Sequence, residues 1–167
     1  MRYGLISNFR RSWSKKGERT SLDQQMNYVN SYLFSGVAPL SGKSFHLLGF
    51  PDMNSDTVNV FLVALKKEHP DKHVYVVWDR APTHRPIIHR QIEGLTVISL
   101  PAYSPELNPA ERFFEEIRRA TANQTFENIK EQEKLIEETL LLWINDEQKL
   151  KSLVGYSWIQ EQCGKVN

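Results

Sequence analysis

Cysteine is almost absent. The only one, Cys163, excludes an internal disulfide and is compatible with a reducing compartment. Long apolar runs are missing, so no stretch reads as a membrane span, and the start M-R-Y-G-L-I-S-N lacks a signal peptide's apolar core. There are no repeats, no low-complexity tracts and no Cys/His spacing that suggests zinc. Net charge is close to absent too: 21 Lys and Arg against 20 Asp and Glu leave +1, which does not announce a nucleic-acid binder. What remains is an ordinary globular composition, 40% hydrophobic over 167 residues. That is enough for one domain, residues 1–167, with a real core, and a cytoplasmic location without a membrane partner is expected.

The distribution of charge says more than its sum. Residues 1–20 hold Arg2, Arg10, Arg11, Lys15, Lys16 and Arg19 against Glu18 alone, whereas acids outnumber bases from Thr121 onward. Such a basic segment either contacts a phosphate backbone, with strong salt dependence, or is a solvated hairpin without a partner.

Along the chain, the front reads as β-rich. Arg2 to Ile6 and Arg10 to Ser14 are strand-like, with a turn at Lys16-Gly17-Glu18. Asn27 to Val37 suits a sheet, Pro39 to Lys43 a hairpin, and Ser44 to Gly49 the returning strand. Asn54, Ser55 and Asp56 offer caps for a helix over Thr57 to Glu68, whose apolar face holds Val60, Phe61, Val63, Ala64 and Leu65. His69-Pro70 ends it. Val74 to Trp78 is short, β-branched and aromatic, the pattern of a buried strand. A short helix near Pro86 to Ile92 and a strand over Leu95 to Leu100 follow, an order that predicts parallel pairing through a right-handed crossover. A helix opening at Asn108-Pro109 turns Phe113, Phe114 and Ile117 inward and Glu115, Arg118 and Arg119 outward. After a break at Asn123-Gln124-Thr125, a helix over Phe126 to Ile144 carries a core stripe of Ile129, Ile136, Leu140, Trp143 and Ile144. Gln148 to Tyr156 reads as a short helix, Trp158-Ile159 as a last anchor, and the tail after Gln160 as loose.

Two carboxylates stand out by position. Asp79 falls at the end of the Val74 strand, and Glu111 in the first turn of the helix capped by Asn108. One strand-and-loop excursion, stiffened by Pro101, Pro105 and Pro109, separates them. Each has a bland alternative: Asp79 as a turn initiator, Glu111 as the acidic member of a capping box. His84 could equally cap or pack its own helix.

The pair W-D-R-A-P-T-H-R (Trp78 to Arg85) and L-P-A-Y-S-P-E-L-N-P-A-E (Leu100 to Glu111) resembles the signature of DDE-type transposases in the mariner-related group of bacterial insertion sequences. The resemblance implies an RNase H-like α/β fold, antiparallel strands first and parallel strands after, flanked by helices. It implies cleavage and joining of DNA strands with two Mg2+ or Mn2+ ions held by three acidic residues. Asp79 matches the second of these and Glu111 the third, while Arg80 stands where Asn is usual. It also makes DNA the expected partner, through Arg10, Arg11, Lys15, Lys16, His84 and Arg85. A nucleoid-associated location is implied, as is assembly with a second copy or a full-length transposase.

The first acidic residue of that pattern has no counterpart. In the family an Asp, commonly in a D-E pair, precedes a segment resembling R-Y-G-L, then a basic stretch with Trp, then K-G. Here Arg2 to Leu5, Arg10 to Trp13 and Lys16-Gly17 occupy those places. Asp23, Asp52 and Asp56 all fall after the point where the Asp belongs. The expectation is therefore the C-terminal catalytic portion of a transposase whose first strand is missing or incomplete, inactive alone. The competing readings are a non-catalytic DNA-binding or regulatory derivative and, least favoured, a generic hydrolase using Asp79 and His84.

Overall fold

The computed structural model describes residues 1–18, 21–79 and 92–163. Strands β1 (Arg2–Ile6), β2 (Met26–Val37) and β3 (Ser44–Phe50) form an antiparallel sheet in that order. Helix α1 (Ser55–Glu68) leads to β4 (Val74–Trp78) and β5 (Leu95–Ser99), which pair in parallel from Val74↔Leu95 to Trp78↔Ser99. Helices α2 (Pro109–Thr121), α3 (Ile129–Ile144), α4 (Glu147–Val154) and α5 (Ser157–Cys163) complete the chain. None of the described helices is long and apolar enough to cross a membrane.

The layers follow from strand alternation. On β2, Leu33 points to one side of the sheet and Phe34 to the other, because successive side chains leave a strand on opposite faces. Leu33 joins Tyr3, Phe113, Ile117, Ile136, Leu140 and Trp143 in a core beneath α2, α3 and α4. Phe34 joins Val58, Phe61, Leu62, Leu65 and Trp78 in a second core beneath α1. Val74, Val76, Leu95 and Val97 pack against that second core, so α1 spans both sheets. The result is a mixed α/β sandwich in which antiparallel strands come first, parallel strands after, and helices flank both faces.

Helix starts are held as capping chemistry predicts. Asn54 Oδ1 accepts from Asp56 N (2.8 Å) and Thr57 N (3.0 Å), while Thr57 Oγ1 accepts from Asn54 N (3.0 Å). Asn108 accepts from Ala110 N at 3.1 Å and Asn128 from Glu131 N at 3.1 Å. At the other end of α1, Lys66 Nζ donates to the carbonyls of His69, Pro70 and Lys72. Tyr3 OH ties β1 to α3 by donating to Glu133 Oε1 at 2.9 Å. Burial is the largest influence on the Glu133 carboxyl and pushes it up, but bonds from Lys130 and Tyr3 outweigh it and leave it below the usual range.

Several expectations need correction. Arg10 to Ser14 is loop rather than strand, with Trp13 fully exposed, because among the described residues no strand pairs with it. Val60 faces solvent, and Val58 and Leu62 take the buried positions, since Val58, Phe61, Leu62 and Leu65 at i, i+3, i+4 and i+7 form the stripe that packs on the sheets. Strand β4 is not buried on both faces: Tyr75 and Val77 are exposed while Trp78 is buried. Ile144 is exposed at the end of α3. Helix α5 continues past Gln160 to Cys163. The expected helix near Pro86 to Ile92 lies, apart from Ile92, outside the described residues.

His46 on β3 carries the clearest pH dependence. Its ring stacks on Phe113 at 5.1 Å between centroids, and its Nδ1 meets Ser35 Oγ at 2.9 Å. Nε2 is buried without a hydrogen-bond partner, and burial lowers the imidazole to about 4. In the unfolded chain it titrates near 6.5. As pH falls below about 6.5 the unfolded state takes up a proton that the folded state refuses, so stability drops until about pH 4, by about 3 kcal/mol. Urea unfolding at pH 7 and pH 4.5 should show this loss, and His46→Leu should remove that part of it.

Candidate active site and its basic flank

Asp79 follows β4 directly and is half-buried. Leu100 N donates to Trp78 O at 2.8 Å, extending the parallel ladder by one bond and placing the start of the next loop beside Asp79. That loop runs through a short 3-10 turn, Pro105–Leu107, to the cap Asn108, and Glu111 sits in the first turn of α2. Glu111 is also half-buried, and its Oε2 lies 3.7 Å from Arg118 Nη2 one to two helical turns on.

The start of β1 lies within electrostatic reach of both carboxylates. Met1 N donates to Leu33 O at 2.6 Å and Leu33 N to Met1 O at 2.8 Å, which seats the first residue on β2. Burial pushes the Met1 ammonium down to about 6; the charges of Glu111 and of Asp79 oppose that fall, while Arg118 adds to it. Both carboxylates are thus close enough to one nitrogen for their charges to act on it.

The donor chemistry suits a hard divalent cation: carboxylate oxygens from two different elements, both only half-buried. The set is incomplete. Among the described residues no group of three His, Cys, Asp or Glu side chains is placed to hold a metal ion. Asp23 and Asp52 are exposed, and Asp56 stands in the first turn of α1. Arg118 also brings positive charge beside the Glu111 carboxylate.

The basic segment is only partly a free surface. Arg10 Nη2 donates to Glu115 Oε2 at 2.5 Å, and Arg118 Nη1 to Glu115 Oε1 at 2.5 Å. These two guanidinium bonds, Arg10's first, hold the Glu115 carboxyl below the usual range. The Arg10 backbone is clasped by Asn123, whose Oδ1 accepts from Arg10 N (2.7 Å) and whose Nδ2 donates to Arg10 O (3.0 Å). Asn123 does this from a positive φ of 58°, which Asn tolerates better than most residues. An open cavity of about 470 Å³ lies here, lined by Arg10, Arg11, Arg119, Ala122 and Asn123. Arg11, Lys15 and Lys16 are exposed, whereas His84 and Arg85 lie outside the described residues. Sequence reading placed Arg119 merely outward and took Asn123 as a pattern break. The one signal available was an Asn following a helix end.

Comparison with known proteins accords with this architecture. Three solved structures share the fold: a pre-cleavage Mos1 transpososome (TM-score 0.63, 18% identity, 92% of this chain and 51% of that one), the Mos1 strand transfer complex (0.62, 18%, 91% and 50%) and the Mos1 mariner paired-end complex with Mn (0.62, 19%, 91% and 51%). The fold is the RNase H-like fold of transposases. The chain spans about half the length of those solved chains. The family model described as DDE superfamily endonuclease matches residues 2–136, and the chain belongs to that family. No curated protein matches it.

Proposed function

We propose that this chain is the catalytic-domain portion of a DDE transposase, built for cleavage and transfer of DNA strands, with Asp79 and Glu111 as two of three metal-holding carboxylates. The observation that supports this reading is that both carboxylates, from separate elements, act by their charge on the same nitrogen at the start of β1. A Mg2+ or Mn2+ ion held there would stabilise charge on the attacking and leaving oxygens of a phosphodiester. The residues of the chain itself position and bind. Arg118, anchored on Glu115, orients the Glu111 carboxylate. Arg11, Lys15, Lys16 and the cavity flanked by Arg119 offer cations to a phosphate backbone, with His84 and Arg85 as further contacts from the motif. Partnership with a second copy or with a complete transposase belongs to the same proposal.

With no third carboxylate placed beside Asp79 and Glu111 among the described residues, the 167-residue chain should nick supercoiled DNA no faster than background in Mg2+ or Mn2+. Metal-dependent nicking abolished by Asp79→Asn would contradict this. The second reading, a DNA-binding regulator derived from a transposase, draws on the same incomplete donor set. It predicts DNA binding without cleavage even when a third carboxylate is supplied.

A further inference from the structure

From the geometry of the loop between the two carboxylates, we infer that Tyr103 is a stacking platform for an unpaired DNA base at the mouth of the candidate active site. The inference rests on the reading of this chain as a DNA-processing domain and names a contact within it.

Tyr103 is anomalous twice over. Its backbone φ is +59°, a left-handed conformation that is uncommon for residues other than Gly, Asn and Asp. Its side chain is 101% exposed, as open as in an extended peptide, so the ring gains nothing from burial. Neither feature serves folding, since a glycine there would remove the backbone strain and leave the packing as it is. Strain held in an otherwise well-fixed loop is a reason to look for function.

The loop is well fixed. Pro101 and Pro105 restrict the backbone on either side of the tyrosine, and Ser104 Oγ donates to Ala102 O at 3.4 Å. Leu107 N and Asn108 N close the 3-10 turn on Ser104 O and Pro105 O. One end of the loop is bonded to the last residue of β4, beside Asp79, and the other caps the helix that carries Glu111. The ring is therefore held out to solvent on the bridge between the two carboxylates. A flat exposed aromatic in that place matches the π-face that every base presents and a phosphodiester-binding site brings near, without sequence preference.

Fluorescence anisotropy with the full chain at low salt tests this, using fluorescein-labelled oligothymidylate and an abasic strand of equal length. The wild-type chain should bind the base-bearing strand ~10-fold more tightly than the abasic one. Tyr103→Ala and Tyr103→Gly should abolish that preference, Tyr103→Phe should keep it, and Tyr103→Gly should melt no lower than wild type. If the wild type prefers the base-bearing strand and Tyr103→Ala does too, the stacking role is wrong while the DNA reading stands. If Tyr103→Gly melts lower, the residue is structural and the inference fails. If the wild type binds neither strand, the DNA reading falls and takes the inference with it.

Discussion

A chain lengthened at its amino end by a β-strand closing in Asp-Glu, joined directly to Met1, should gain Mn2+-dependent nicking of supercoiled DNA. Asp79→Asn or Glu111→Gln in that lengthened chain should cut the rate by at least about 100-fold. The geometry gives two reasons. Whatever is bonded to the Met1 nitrogen starts within electrostatic reach of both carboxylates, so an added acid near it completes a three-carboxylate set. Joining also turns a terminal amine, which burial already disfavours as a cation, into an amide that carries no charge at any pH, so no proton on it competes with metal. Among the described residues β1 pairs with β2 and β4 with β5, while one hydrophobic core beneath α1 runs across both sheets, so each sheet keeps an edge near the other. Edges left in this way are templates for strand addition. A lengthened chain that binds DNA but never nicks it would favour the regulatory reading.

Phe113→Ala should destabilise the fold by about 3–5 kcal/mol, as measured by urea unfolding. Phe113 is fully buried, stacks on His46 and meets the Trp143 ring edge-on at 6.1 Å between centroids. It joins α2 to β3 and α3 at one point, and truncation leaves a cavity where three elements meet. Against a total stability of about 5–15 kcal/mol, the loss brings the chain near unfolding at body temperature. Phe113 is two residues beyond Glu111, so the same contact fixes the helix that presents the carboxylate. Phe113→Leu, which keeps much of the volume, should cost less. A Phe113→Ala chain as stable as wild type would show that α2 is not anchored there.

Much of the fold was legible because it is written in local chemistry. Asn54 and Asn108 announced two helix starts, and the β-branched run at Val74 and the turn at Gly17 behaved as their residues require. Where the outcome depended on what lay across space, the sequence was silent. Arg10 to Ser14 has strand-like composition, yet among the described residues no partner strand lies beside it. The face of β4 that shows Tyr75 and Val77 to solvent could not be told from a covered one. Charge made the basic segment conspicuous but not that Arg10 is committed to Glu115, a bond set by how α2 packs. Asp79 and Glu111 were readable as strand-end and helix-start carboxylates, while the reach of their charges to the start of β1 depends on the layering of the sheets. Tyr103 was passed over because exposure and a positive φ leave no periodic trace; the prolines around it were the available sign.

Metal-dependent strand cleavage in this domain requires Asp79 and Glu111 to share one cation site. Anomalous diffraction at the manganese edge, from crystals of the 167-residue chain soaked in Mn2+, tests this directly. The predicted result is one peak about 2.0–2.4 Å from an oxygen of each of the two carboxylates, lost in Asp79→Asn and in Glu111→Gln. A peak bound to one of them alone, or manganese held elsewhere with both carboxylates bare, would contradict it.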